Sequence, residues 1–420
     1  MKDSPSILIV TQVYVPDPAA VGQHIADVAE ECARRGWRVV VYTAARGYDD
    51  PARKFPAREQ LRGVDVRRLP LSSFGKSSIA IRLLAGLLFL LQAVVAGCFV
   101  RGVSTVLVST SPPFAGAGGA FLARVHRAAL VWWVMDLNPD QLIATGKLAA
   151  DSLPARFFRW LNRMTVTRAN DVIVLDRFMR DRLLKTMPDE GKIRIVPPFY
   201  HGGHGQQSDH AGSGFRAAHG LDGRFVVMYS GNHALQHPLA TLLDAARELE
   251  AEQDMAFVFI GGGAGKRSVE ERVAAGARNL LSLPFQPLET IEESLSAADV
   301  HVVSMGDEVV GILHPSKIYG AMAVGRPILF FGPRASAAGE LVAAHGIGSI
   351  VAHGDVAGAV RAIHELRSRS DAERADMGRR AAAVAREEFS PEAARDRVCD
   401  LLTATANRRP LDAGGSRRDG

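Results

Sequence analysis

Cysteine is scarce in this 420-residue chain: Cys32, Cys98 and Cys399 stand far apart, and none sits in a CxxC or Cys/His ligand spacing. No metal site is expected, and a reducing cytosol fits. His201, His204 and His210 have no cysteine or carboxylate constellation beside them, so the same expectation covers them. No signal peptide is expected either, because SPSILIV starts within a few residues of Met1 without a charged n-region and a cleavage site. The phosphate fingerprints fail on spacing. In GGGAGKRS, residues 261–268, a P-loop would need glycine where Ile260 stands and Ser or Thr where Arg267 stands. A dinucleotide fingerprint would need glycine at Lys266, which leaves Gly261 to Gly263 as a tight turn with close backbone approach after a strand. The arginines are dispersed and no nucleic-acid module or aromatic stacking motif is present, which disfavours nucleic acid as a partner.

One apolar run stands out. Residues 83–100, LLAGLLFLLQAVVAGCFV, carry no charge and only Gln92 as a polar side chain. That is borderline for a membrane span. Two readings stay open: a buried helix of an α/β domain, or a helix docked on one membrane leaflet with Arg82 and Arg101 at the headgroups. A crossing is disfavoured, since it would part a strand-helix series from its own first strands.

The chain length suits two domains, and 47% hydrophobic residues can fill two cores. The net charge of +5 favours anionic partners such as nucleotides or phospholipid surfaces. SILIVTQ, WRVVVYTA, VDVRRLP, VSTVLVSTS, ALVWWVMDL, NDVIVL and KIRIVPP read as β-branched strands alternating with helices. FVVMYSG, AFVFIGG, NLLSLPF, DVHVVSM, RPILFFG and SIVA form a second such series. Each is the pattern of a mainly parallel sheet covered on both faces. The expected division is a first domain over residues 1–200, a Gly-rich linker over 201–216 and a second domain over 217–388. A helix over 389–407, started by Ser390-Pro391-Glu392, and a disordered tail over 408–420 complete it.

The stretch HPSKIYGAMAVGRPIL, residues 314–329, places a hydroxyl and an ammonium at the start of a helix that a glycine ends. Free N–H groups and the positive dipole end there, with Lys317 as countercharge, would stabilise an anion. The plainer alternative is that Ser316 caps the helix and Lys317 is solvated.

With YSGNHALQHPLATLLDAA at residues 229–246, FIGGGAGK at 259–266, LPFQP at 283–287, ADVHVV at 298–303 and HPSKIYGAMAVGRPI, the chain resembles retaining glycosyltransferase family 4. More narrowly, it is similar to the subgroup acting in O-antigen and colanic-acid type polysaccharide assembly. VYVPDPAAVGQH at 13–24, STSPPFAGAGGA at 109–120 and MDLNPDQL at 135–142 extend the likeness into the first half. The resemblance implies an α/β GT-B fold: two Rossmann-like doubly wound domains facing a central cleft, the first binding acceptor, the second a nucleotide sugar, and a final helix crossing back. It implies no metal and no cofactor, with Ser316 and Lys317 holding the donor diphosphate.

Departures from the family pattern are as informative. Many members carry an arginine after the glycine of the first C-domain strand and a lysine five residues later, whereas here Gly231 is followed by Asn232 and His237. The family's two glutamates would fall at Ile312 and Gly320. Asp307 or Glu308 is the candidate substitute toward the donor sugar, and a solvated loop is the alternative. Gly22 is a candidate for close backbone approach to the donor phosphate or for turn chemistry, and His24 for a ligand hydrogen bond or a helix surface. Asp136, at the end of ALVWWVM, is the candidate that orients or deprotonates the acceptor hydroxyl, or else a turn aspartate. Phe285 and Gln286 resemble the loop that packs on the nucleotide base.

The expected function is sugar transfer from a nucleotide donor, a UDP-sugar, to a polyprenyl-diphosphate or other lipid-linked saccharide at the cytoplasmic face of the inner membrane. The rivals are a nucleotide-sugar epimerase and an inactive GT-B protein that binds a nucleotide sugar or a partner.

Overall fold

The computed structural model describes residues 5–17, 19–47, 50–74, 79–186, 190–200 and 214–408. Most of the expected linker, its three histidines and the tail from residue 409 lie outside the described residues. The chain divides into two compact units, residues 1–197 with 392–420, and residues 198–391.

The first unit runs β1 (Ser6–Val10), α1 (Ala20–Arg34), β2 (Arg38–Ala44), β3 (Arg58–Leu61), β4 (Val64–Leu69), α2 (Ile79–Gly97), β5 (Thr105–Ser109) and α3 (Ala115–His126). It continues with β6 (Ala129–Trp133), α4 (Asp140–Ala144), α5 (Leu153–Arg168), β7 (Asp171–Val174), α6 (Arg177–Leu184) and β8 (Ile193–Ile195). The sheet has the order β3-β4-β2-β1-β5-β6-β7-β8, parallel except for the antiparallel edge pair β3 and β4. Its central strands are buried along their whole length, as a sheet covered on both faces requires. Strand order runs one way from β1 to β2 and the other way from β4 through β7. Right-handed crossovers therefore put α1 on one face and α2, α3 and α5 on the opposite one.

The glycines of α3 let its neighbours come close. A Cβ at Gly116 would lie 2.5 Å from Thr165 of α5, one at Gly118 2.5 Å from Leu90 of α2, and one at Gly119 2.5 Å from Val108 of β5. These three positions seat α3 between two helices and the sheet.

The second unit runs α7 (Gly214–Ala218), β9 (Phe225–Ser230), α8 (Ala240–Glu248), β10 (Met255–Ile260), α9 (Lys266–Ala274), β11 (Leu280–Leu283), α10 (Ile291–Ser296) and β12 (Val300–Ser304). It ends with α11 (Lys317–Ala323), β13 (Ile328–Phe331), α12 (Ala337–His345), β14 (Gly348–Val351), α13 (Val356–Ser368) and α14 (Asp371–Glu388). All six strands are parallel, in the order β11-β10-β9-β12-β13-β14. One face packs Tyr229, Phe257, Phe259 and Phe331 against α8 and α13. The other packs Val226, Met228, Val258 and Ile260 against Phe215 and Ala298. These are the two hydrophobic layers of a doubly wound domain.

The last helix, α15 (Pro391–Asn407), belongs to the first unit. Cys399 lies 3.3 Å from Cys32 of α1, Arg35 pairs with Asp396 and Asp400, and the Thr405 hydroxyl donates to the buried Asp171 carboxylate at 2.5 Å.

Candidate functional site

In a doubly wound sheet, ligands bind beyond the carboxyl ends of the strands where the order reverses. In the second unit that point lies between β9 and β12. Gly231 follows β9 with φ +128°, and a Cβ there would meet Lys317 Cε at 2.7 Å, so the absent side chain makes room for the lysine. Lys317 lies with its Nζ 5.6 Å from the Tyr229 ring centroid. Desolvation lowers its ammonium to about 8, and among the described residues no carboxylate pairs with it. A partly desolvated cation without a counter-ion is arranged to receive an anion.

The histidines nearby do not share that task. His237 Nδ1 is 2.7 Å from the Ser304 carbonyl, and desolvation followed by the charge of Lys317 lowers its pKa to about 3. His233, missed in the sequence, is buried beside Gly231, and desolvation and Lys266 lower it to about 4. Both rings are neutral at pH 7, and His237 Nδ1–H donates to the Ser304 carbonyl.

Phe285 is largely exposed and lies along the glycine loop after β10. A Cβ at Gly262 would stand 3.1 Å from its ring. An exposed aromatic face beside glycines suits stacking of a planar base. Gln286 is spent locally, its Nε2 donating to the Pro284 carbonyl at 3.0 Å. Asn232 extends over the same loop, and a Cβ at Gly263 would meet its Oδ1 at 2.3 Å. Lys266, part of the failed P-loop pattern, donates to the carbonyls of Gly261 and Leu283 and so pins this loop. Glu308 is exposed and folds over Gly306, just beyond β12, which places it at the rim of the site.

Helix α11 does not begin with a capped row of free amides. Ser316 makes no cap hydrogen bond and is exposed, with helical φ −57° and ψ −17°. The Ile318 and Tyr319 N–H groups already donate to the carbonyls of Pro315 and Ser316 at 3.2 Å. The start of this seven-residue helix therefore offers the Lys317 ammonium and the Ser316 hydroxyl rather than a row of free amides.

In the first unit the order reverses between β1 and β5, and a cavity of about 200 Å³ opens there. Gln12, Ser111, Asn138, Arg82 and Asp136 are among its lining residues. The Thr110 hydroxyl accepts the N–H groups of Met135 and Asp136, each at 3.2 Å, and so fixes the end of the β6 segment. Among the described residues the Asp136 carboxylate has no partner, and burial pushes it up to about 6. A carboxylate in this state accepts a proton readily near neutral pH.

Two first-unit candidates fall away from this cavity. Gly22 sits inside α1, where a Cβ would lie 3.0 Å from the Tyr14 backbone nitrogen, so the close approach it permits is of chain to chain. His24 is buried on α1, neither at the helix surface nor on the cavity wall. Arg82, by contrast, flanks the apolar run and lines the cavity. The order of strands carries α2 from β4 over to β5 and brings Arg82 to the cavity.

Residues 19–198 match the glycosyl transferase 4-like domain, and residues 224–369 match the glycosyl transferases group 1 domain. The chain is 25% identical over 238 residues to WbjE of Pseudomonas aeruginosa, named a glycosyltransferase, across 56% of this chain and 59% of WbjE. It is 29% identical over 105 residues to WcaI of Escherichia coli, named a colanic acid biosynthesis glycosyl transferase, across 25% of this chain and 26% of WcaI. The matches thus span about a quarter to three fifths of these relatives. HepE of Anabaena, solved with UDP and glucose, superposes with a TM-score of 0.70 at 18% identity over 95% of this chain and 99% of its own. Sucrose-phosphate synthase of Thermosynechococcus elongatus superposes with a TM-score of 0.73 at 19% identity, over 95% and 98%.

Proposed function

We propose, the chain being a GT-B protein of the glycosyltransferase type with a 4-like and a group 1 domain, that it transfers a sugar from a UDP-sugar to a lipid-linked saccharide. The observation that carries this is the unpaired, desolvated Lys317 at the switch point of the second unit. It stabilises the charge that grows on the departing diphosphate, with Ser316 beside it and Phe285 under the base. UDP as the nucleotide is supported by HepE, which was solved with UDP and with UDP-glucose. Retention of configuration rests on the family resemblance alone, and cell-surface polysaccharide as product on the name of WcaI.

In the first unit Asp136 takes the proton of the acceptor hydroxyl, and Arg82 in the same cavity pairs with an acceptor phosphate. Helix α2 supports a lipid anchor on that acceptor and peripheral contact with the membrane. It is neither wholly core nor a span: Ala85, Phe89, Leu90 and Ala93 are buried, while Leu84, Leu87, Leu91 and Val95 form an exposed stripe at helical spacing. Among the described residues no helix is long and apolar enough to cross a membrane. Leu87→Glu with Leu91→Glu is expected to abolish sedimentation with phosphatidylcholine vesicles, with unchanged circular dichroism. Undiminished binding to these neutral vesicles would refute docking by α2.

The test of the function is transfer of label from radiolabelled UDP-, GDP- and dTDP-sugars to bacterial membrane lipid. Lipid-bound label from a UDP-sugar is expected. A second reading, an inactive nucleotide-sugar-binding protein, is favoured by Ile312, which is fully buried where the family has a glutamate. UDP binding without transfer from any donor would decide for it.

A further inference from the structure

Helix α5 carries a surface that the transfer reaction does not use. Leu153, Phe157 and Trp160 repeat at helical spacing, and each is more than half exposed. The Phe157 and Trp160 rings stack with centroids 5.8 Å apart, so two aromatic faces are held together in solvent. Arg156, Arg159, Arg163 and Lys185 line an open recess of about 890 Å³ beside Trp160. The acid on its wall, Asp140, is taken by Arg182 at 2.7 Å. Among the described residues neither Arg156, Arg163 nor Lys185 has a carboxylate partner. Exposed Phe121 and Val125 of α3, which packs between α2 and α5, continue the apolar surface toward α2.

We propose that α5 is a second membrane-docking element, whose aromatic side chains enter the interface and whose basic recess binds the phosphate of an anionic phospholipid. This rests on the reading that α2 docks on a membrane, and it adds lipid selectivity to it. The charge decides the occupant. An apolar stripe alone would suit another protein, but stacked aromatics beside unpaired arginines match a bilayer surface. There the rings sit at headgroup level and guanidinium groups reach phosphate while their stems cover apolar area. Arg adds bidentate phosphate geometry that Lys lacks.

Trp160 supplies its own reporter, because Trp37, Trp132 and Trp133 are buried. The full chain is mixed with vesicles of phosphatidylcholine alone or with about a third phosphatidylglycerol. Binding is read by co-sedimentation, and tryptophan depth by quenching with brominated lipid. Preferred binding to phosphatidylglycerol vesicles with quenching is expected. In Arg156→Glu with Arg163→Glu, binding should drop at least about tenfold, since each basic residue near an anionic surface is worth about fivefold. Residual binding to neutral vesicles through α2 should persist. The Leu87→Glu, Leu91→Glu variant should lose neutral-vesicle binding while still preferring phosphatidylglycerol. Equal binding to both lipids, an unaffected arginine variant, or absent quenching would overturn the proposal. The last, with protein captured on the same patch by cross-linking at Trp160, would point to a protein partner. These vesicles hold no acceptor and no donor, so failure of the transfer reading leaves this result unchanged.

Discussion

Lys317→Ala is expected to weaken UDP binding about ten- to a hundredfold and to lower transfer about a hundred- to a thousandfold, with the fold intact. The first figure follows from a charged hydrogen bond worth about 1.5–3 kcal/mol. The second follows from removing a preorganised donor that acts on charge developing in the transition state. The loss falls on one residue because the alternatives are neutral: His233 and His237 are held well below the usual histidine range by desolvation. The pH dependence has a definite sign. A diphosphate binds the ammonium form, whose pKa is lowered to about 8 in the free protein. UDP affinity should therefore be full near pH 7, fall as pH rises through about 8, and lose this alkaline limb in Lys317→Ala. Calorimetric titration of both proteins with UDP between pH 6 and 9 checks it. An unchanged affinity in the variant would remove the second-unit switch point as the diphosphate site.

Much of the scaffold could be read directly. SILIV, TVLVS and FVVMYS are mostly apolar because parallel strands are covered on both faces, and such runs are local facts of the sequence. The polar edge strand β3 could not be read, since REQL pairs with β4 on one side only and has little apolar surface to cover. Lys317 and Asp136 stand out as candidates in the sequence for a similar reason, one at a helix start and the other at a strand end. The surroundings of Gly22 and His24 were not legible. What Gly22 meets is the Tyr14 backbone, and what encloses His24 is tertiary packing, neither of which a motif encodes. Helix α2 shows the limit of hydropathy: the run is apolar all round, and only the position of α3 and the sheet divides it into a covered face and an exposed stripe. The aromatic and basic surface of α5 was invisible for the same reason, because it exists only once Phe158 and Val166 have turned inward.

Asp136→Asn is expected to lower transfer about a hundred- to ten-thousandfold while leaving UDP affinity as in the parent, because proton transfer by a positioned base contributes on that scale. The two effects separate because Asp136 and Lys317 belong to different units. Asparagine keeps the size of the side chain and, since Thr110 receives the backbone N–H rather than the carboxylate, the end of the β6 segment stays fixed. What is lost is the ability to take a proton. Burial raises the carboxyl pKa to about 6, so the base is protonated and idle below that value and competent above it. The parent's kcat/KM should rise with pH through about 6, stay level, and fall again near 8 as the Lys317 ammonium is lost, a bell whose limbs belong to two different residues. In Asp136→Asn the acid limb should vanish from the residual activity while the alkaline limb persists. If the variant instead keeps the acid limb and near-parental rates, Asp136 is no base and serves only the architecture at the end of β6. If it loses UDP affinity as well, the assignment of donor to one unit and acceptor to the other is wrong.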